Sequence, residues 1–144
     1  MIIMLVKDVM NRKVVAAKPE MSLREASKVM VKYHIGSLIV IEKEKIAGII
    51  TEGNILHSIS ENKDPDATAV VDVMSKDVVT IEPDKRIEDA VDKMTKYKIK
   101  KLPVVEDKKL VGVITCSDIA VVEPKLIEAV ANLISVKIPG YRGG

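Results

Sequence analysis

The chain has no phenylalanine, no tryptophan and a single cysteine. With only three tyrosines among 144 residues, its core must be built from Ile, Val, Leu, Met and Ala. The aromatic platforms on which single-stranded nucleic acids stack are missing. One cysteine, Cys116, forms neither an intrachain disulfide nor a cysteine-based zinc site. An excess of either charge is also lacking. Lys plus Arg number 23 against 21 for Asp plus Glu, a net +2 that is too mild for a nucleic-acid or membrane-surface protein. The N-terminal apolar run stops after six residues at Lys7-Asp8, too short for a signal peptide or a membrane span. The expectation is a soluble, cytoplasmic protein with no membrane association. His34 and His57 are not spaced as a metal pair, and no Ser-His-Asp, HExxH or P-loop pattern occurs. The chain therefore reads as neither an enzyme nor a metal protein.

What is present is a repeat. Residues 6–56 align with residues 70–120 without a gap at an offset of 64, with 20 of 51 paired positions identical. Asp8-Val9-Met10 recurs as Asp72-Val73-Met74, Pro19 as Pro83, Lys32-Tyr33 as Lys96-Tyr97, and Gly48 as Gly112. Identity at that level marks a duplicated unit. The division expected is unit one at 1–60, a linker at 61–69 within the polar stretch 58–69, unit two at 70–122, and a C-terminal helix and tail at 123–144.

Each unit reads as β-α-β-β-α, an α/β fold. The short strands Val14–Ala17 and Val78–Ile81 are closed by Pro19 and Pro83. A helix over 23–33 follows, with Leu23, Ala26, Met30 and Tyr33 on one face and a Ser22/Glu25 capping box. In the second copy Arg86 replaces Ser22, which makes Asp84 the expected cap. Two nearly unbroken apolar runs, Ser37–Glu42 and Lys45–Thr51, turn at Lys43-Glu44; 102–106 and 110–115 repeat them around Asp107-Lys108. Unbroken runs predict strands covered on both faces. A second helix opens at Thr51 and at Thr115. A unit of about 60 residues is marginal alone, so the two are expected to pack sheet against sheet about a pseudo-two-fold axis. Glu123-Pro124 starts a further helix whose stripe is Leu126, Ile127, Val130, Leu133 and Ile134.

Val-x-Asp-Val-Met opening each unit, Leu102-Pro103-Val104-Val105, and the Gly-x-Ile-Thr-x-x-Asp of Gly112–Asp118 occur in order. Together they make residues 5–122 resemble a tandem pair of CBS domains. The resemblance implies a regulatory module without catalysis that binds AMP, ADP, ATP or S-adenosylmethionine in clefts between its units. It also implies a homodimer and a regulated partner protein.

The candidate site lies in unit two. Thr115 stands at a helix N-cap, where hydroxyl and first-turn N–H groups, including that of Ser117, suit a phosphate. Asp118, by the resemblance, accepts from both ribose hydroxyls; read locally, the same two residues are equally a capping box. Ile99, Lys100, Lys101, Leu102 and Pro103 would form the wall against adenine, with Ile99 standing where the family often has Gly. Thr80 is placed at the rim. In unit one the matching positions are weaker: Ala16 for Thr80, Ile35 for Ile99, Gly36 and Ser37 for the two lysines, Leu38 for Leu102, Ile39 for Pro103, and Asn54 for Asp118, with Thr51 retained. The first site is therefore expected to be weak or empty. The cluster Lys93, Lys96, Lys98, Lys100 and Lys101 reads mostly as a solvated face, with Lys98, Lys100 or Lys101 able to meet phosphates. Cys116 lies at a helix N-terminus, where a thiol pKa can be lowered, but a packed or incidental cysteine is the preferred reading. Two other readings stay open: a ligand-free dimerising scaffold, and, less in keeping with the composition, a nucleic-acid binder.

Overall fold

The computed structural model describes residues 2–126. The 64-residue offset reappears in three dimensions. Helix α2 (Leu23–Tyr33) is matched by α5 (Ile87–Tyr97), strand β2 (Ser37–Glu42) by β4 (Lys101–Glu106), and strand β3 (Lys45–Thr51) by β5 (Lys109–Thr115). Helix α3 (Glu52–Ser60) is matched by α6 (Cys116–Val122), and α1 (Val6–Val9) by α4 (Val70–Val73).

The hairpins turn where expected. Lys43 and Glu44 have φ of 52° and 67°, and Asp107 and Lys108 have 51° and 67°. Two successive left-handed residues make the turn whose twist matches a two-residue hairpin. In the first, β2 and β3 run antiparallel from Ser37 opposite Thr51 to Glu42 opposite Lys45, with a bulge at Val40/Ile41.

The strand expected before each helix is shorter than the sequence suggests. In the first repeat only Ala16–Ala17 (β1) pairs, parallel to β2 at Ile39 and Val40. In the second the strand shrinks to one bridge, Ile81 to Val104. There the Ile81 N–H donates to the Pro103 carbonyl (3.0 Å) and the Val105 N–H to the Ile81 carbonyl (2.9 Å). Pro103 has no N–H with which to extend that pairing, whereas Ile39 keeps one at the matching position.

The described chain divides into two compact units that do not follow the repeats. One contains residues 2–13, 79–107 and 111–126; the other contains 14–78 and the hairpin tip 108–110. Each repeat is thus completed by the opening segment of the other copy. In the unit built on the second repeat, the Val6 and Lys7 N–H groups donate to the carbonyls of Lys85 (2.7 Å) and Pro83 (3.0 Å). Asn11 and Val113 exchange both backbone bonds (2.8 and 2.9 Å). Val6 is fully buried among Ile81, Met94, Leu102, Ile114 and Ile119. In the unit built on the first repeat, Val70 and Val71 donate to Met21 (2.8 Å) and Pro19 (3.0 Å), and Ile49 exchanges bonds with Ser75 (2.9 Å each). Val70 is buried there among Leu23, Leu38, Val40 and Ile50.

Helix caps explain several departures from expectation. Helix α2 has the Ser22/Glu25 box, and its first two N–H groups are taken by the carbonyls of Thr68 and Pro65 (3.0 and 3.1 Å). The linker expected at 61–69 therefore also supplies caps, and within the polar stretch 58–69 residues Ser58 to Ser60 are the end of α3. Ser58 is buried, its hydroxyl donating to the Asn54 carbonyl at 2.9 Å. Asp84 does not cap α5. It pairs with Lys7 (3.0 Å), while the Asp89 carboxylate accepts from the Arg86 N–H (3.1 Å) and the Ile87 N–H donates to the Met4 carbonyl (3.1 Å). Tyr33 is not on the buried face of α2; it is half exposed, with the Lys32 ammonium 5.3 Å from its ring centre. Pro124–Leu126 form a single 3-10 turn, and the rest of the expected C-terminal helix lies outside the described residues. Among the described residues, no helix is long and apolar enough to cross a membrane.

Candidate functional site

All the unit-two candidates fall in the unit built on the second repeat, and backbone bonds draw their three segments to one end of its sheet. The Ile81–Pro103 bond holds Thr80 beside the start of β4. The turn that feeds β4 is set by Lys98, left-handed at φ 55°, which ends α5, and by the Ile99 N–H bonding the Met94 carbonyl (3.0 Å). From there the Lys100 carbonyl accepts the Cys116 N–H (3.0 Å), which fastens the strand entry to the start of α6.

Thr115 and Asp118 form both arms of a capping box. The Thr115 N–H donates to Asp118 Oδ2 (3.1 Å), and the Asp118 N–H donates to Thr115 Oγ1 (3.1 Å). The local reading as a box is therefore met. It does not exhaust the carboxylate, which has two oxygens and about four acceptor positions. Thr115 and Asp118 are half-buried, while Ser117 is exposed. The expected row of outward first-turn donors is cut down: the Cys116 N–H is spent on Lys100, and that of Asp118 on Thr115.

The lysine cluster separates by role. Lys93 is not a solvated residue; its ammonium donates to the Thr80 carbonyl at 2.6 Å. Lys100 is exposed at the strand entry. Lys101 is half-buried, and burial pushes its ammonium below the ordinary lysine value. Leu102 and Pro103 are buried and Ile99 is half-buried, so this wall is apolar. Cys116 is a packed cysteine, as preferred from the sequence. It is buried with its Sγ 3.6 Å from Met94 Sδ, and burial pushes the thiol up, against weaker lowering by its backbone bond and Lys100.

The first repeat carries the same frame with different chemistry. The Glu52 N–H donates to the Gly36 carbonyl (3.0 Å). The Thr51/Asn54 box has three bonds: Asn54 Oδ1 accepts from the Thr51 N–H (2.9 Å) and hydroxyl (3.0 Å), and the Asn54 N–H donates to Thr51 Oγ1 (3.1 Å). With that oxygen doubly engaged, Asn54 offers outward mainly its NH₂ group, a donor where Asp118 has an acceptor. Ala16 and Leu38 offer no polar side chain, Ile35 is half-buried, and Ser37 lies opposite Thr51 in the sheet.

Two residues named for the weaker site, Ile35 and Gly36, border a hollow. A groove of about 550 Å³ opens on this unit between the end of α2 and the start of α3, lined by Met30, Val31, His34, Gly36, Glu52 and Leu56 among others. The signal available was paired: Gly36 with Glu52 here, Lys100 with Cys116 there. A Cβ on Gly36 would sit 3.2 Å from the Glu52 carboxylate. Among the described residues, no group of three His, Cys, Asp or Glu side chains is placed to hold a metal ion.

Comparison with known proteins agrees with the doubled fold. The CBS domain family model matches residues 6–61 and 70–124. The CBS domain-containing protein YhcV of Bacillus subtilis is 32% identical over 117 residues, covering 81% of this chain and 83% of that protein. An uncharacterized protein of Methanopyrus kandleri is 36% identical over 128 residues, 87% of this chain and 65% of its own length. The chain spans only 23% of another relative, the L-aspartate semialdehyde sulfurtransferase of Methanocaldococcus jannaschii, at 35% identity and 82% coverage of this chain. Among solved structures, the CBS domain pair of protein MJ0100, in complex with 5′-methylthioadenosine and S-adenosyl-L-methionine, superposes with a TM-score of 0.74. It shares 31% identity, with 85% of this chain and 98% of that one covered.

Proposed function

The chain belongs to the CBS domain family, as a tandem pair, and from that premise we propose that it is a regulatory sensor of an adenosyl ligand. One observation carries the reading: a half-buried carboxylate, Asp118, lies in the first turn of α6, whose first N–H is bonded to the Lys100 carbonyl where the chain enters β4 with Lys101, Leu102 and Pro103. A carboxylate suits a vicinal diol because it has two acceptor oxygens and adds charge to each bond. The apolar wall suits a purine face, and the lysines suit an anionic tail. Support comes from the MJ0100 pair, solved with two adenosyl compounds.

In this reading Asp118 holds the ribose, Thr115 and Ser117 line the sugar and tail, and Thr80 borders the base. The Lys93 bond to the Thr80 carbonyl keeps that edge in place. Asn54, Thr51 and Ala16 make the weaker counterpart, so one equivalent binds per chain. The ligand acts by favouring one conformation of the pair, and it shifts that equilibrium only by its difference in affinity for the two. The protein works in the cytoplasm as a homodimer read by a partner protein.

Isothermal titration with AMP, ADP, ATP and S-adenosylmethionine tests this. Micromolar binding of at least one, weakened in Asp118→Asn, is expected; no heat and no thermal shift with any of them overturns it.

A further inference from the structure

The two repeats differ in charge where the chain enters each hairpin and opens the helix that follows it. In the second, residues 98–101 and 115–118 hold Lys98, Lys100, Lys101 and Asp118, three positive charges against one negative. In the first, the matched residues 34–37 and 51–54 hold one charge, that of Glu52, with His34 neutral. Glu52 stands where the second repeat has Cys116. The thiol turns into the core, its Sγ 3.6 Å from Met94 Sδ. An unpaired carboxylate is not tolerated in such a place, and Glu52 is exposed.

The Glu52 carboxylate lies against the strand entry. Its backbone N–H donates to the Gly36 carbonyl at 3.0 Å, and a Cβ on Gly36 would meet both its Cδ and its Oε1 at 3.2 Å. The bare glycine leaves room for the carboxylate to rest there. Glu52 and Gly36 also share the groove of about 550 Å³, and none of the described residues lining it is a lysine or arginine. Among the described residues Glu52 enters no ion pair. Charge at one of these two positions is felt at the other. In the second repeat the Lys100 ammonium pulls the Cys116 thiol down, against the larger effect of burial, and Lys100 and Cys116 are the counterparts of Gly36 and Glu52. The first repeat thus sets a negative charge where the second sets a positive one.

We propose that Glu52 is a specificity residue that turns anionic tails away from the first repeat, over and above the loss that Asn54 and Ala16 bring to every adenosyl ligand. The proposal rests on the adenosyl reading above and adds the chemistry by which the two repeats discriminate. A phosphate tail placed as Lys100 and Lys101 would place it runs, in the first repeat, onto Glu52. An uncharged tail meets no such penalty. An uncompensated charge set against the unwanted ligand is an effective discriminator, because like charges brought together on binding repel more strongly as water is excluded.

ATP and 5′-methylthioadenosine share adenosine and differ in tail charge, so the pair separates charge from shape. Isothermal titration of the full chain compares Asn54→Asp/Asp118→Ala with the same chain carrying Glu52→Gln. Asn54→Asp gives the first repeat the carboxylate of the second, and Asp118→Ala silences the second, so binding at the first repeat is read alone. Glu52→Gln is expected to tighten ATP about tenfold and 5′-methylthioadenosine about twofold or less, and the ATP gain should shrink in about 0.5 M salt. Circular dichroism checks folding. Should the combined variants not fold, Glu52→Gln alone, a change at an exposed side chain, is expected to add a second, weaker equivalent of ATP that the native chain lacks. Equal gains for the two ligands, no gain for ATP, or no binding of either ligand at the first repeat overturns the proposal and leaves the adenosyl reading standing. Failure of the native chain to bind any adenosyl ligand overturns both.

Discussion

The backbone N–H of Cys116 donates to the carbonyl of Lys100 at 3.0 Å. That bond joins the last residue before β4 to the first residue of α6, the two segments from which the candidate site is made. It also removes a helix-terminal donor from service, so in the proposed site recognition falls mostly to the side chains of Thr115, Asp118 and the lysines.

Asp118 caps α6, and substitution separates that role from the ribose contact proposed for it. Asp118→Asn keeps the acceptor for the Thr115 N–H, as Asn54 does in the first repeat. It should retain the melting temperature within a degree or two yet weaken adenosyl binding about tenfold. Asp118→Ala should lose binding and also about 1 kcal/mol of stability with the cap. Calorimetric titration and thermal melts of both variants check this.

The paired glycines are held by close approach. A Cβ at Gly48 would lie 2.6 Å from the Ser75 carbonyl oxygen and 2.7 Å from Met74 Sδ. At Gly112 the nearest atom is the flexible end of Met10 (Sδ, 2.7 Å), with the Asn11 carbonyl at 3.0 Å. Both alanine variants should destabilise, by about 1–3 kcal/mol. Gly48→Ala should be the worse, since backbone yields less than a methionine tip. Urea unfolding midpoints give the order.

Val6 is fully buried in the core of the second repeat. Val6→Ala should cost about 2 kcal/mol. Removing residues 1–13 should strip amide-exchange protection from α5, β4 and β5 before it affects α2, β2 and β3. Hydrogen exchange read by mass spectrometry distinguishes the two regions.

The Cys116 thiol is raised above its ordinary 9.0 by burial. The folded state therefore holds its proton where the unfolded chain has lost it. This contribution is fully present below about pH 9 and is lost as pH rises through the folded value. Alkylation by iodoacetamide at pH 8 should be at least about tenfold slower than in urea. The fall in melting temperature between pH 8 and pH 10 should be shallower in Cys116→Ala. Fast alkylation of the folded protein would contradict the assignment.

The sequence carried the local structure well because it wrote each element twice. The helices, both hairpins and the caps at Ser22, Thr51 and Thr115 depend on residues within four positions of one another. What stayed hidden was non-local. Val6 and Val70 sit in the same motif, and nothing in that motif says which copy it packs on; the choice appears only in the bonds from Val6 to Lys85 and from Val70 to Met21. The shortened second strand follows from Pro103, a residue read as a wall of the site and not as a missing donor. Cys116 reads in favour of packing, and there burial outweighs the pull of the helix position toward a lower pKa. For the site, the sequence named residues that do lie together at one sheet end, but it missed the Lys93–Thr80 bond, since a lysine on a helix face gives no sign of reaching a carbonyl 13 residues away.

The exchanged opening segments have a consequence for how this protein can be divided. A scissor cut anywhere from 61 to 69 would hand the front fragment a strap made for its sibling and leave it without its own. Neither half would be a self-sufficient building block. Permuting the chain to begin near residue 14 and appending 1–13 behind residue 144 would keep each strap on the same piece as the body that it closes.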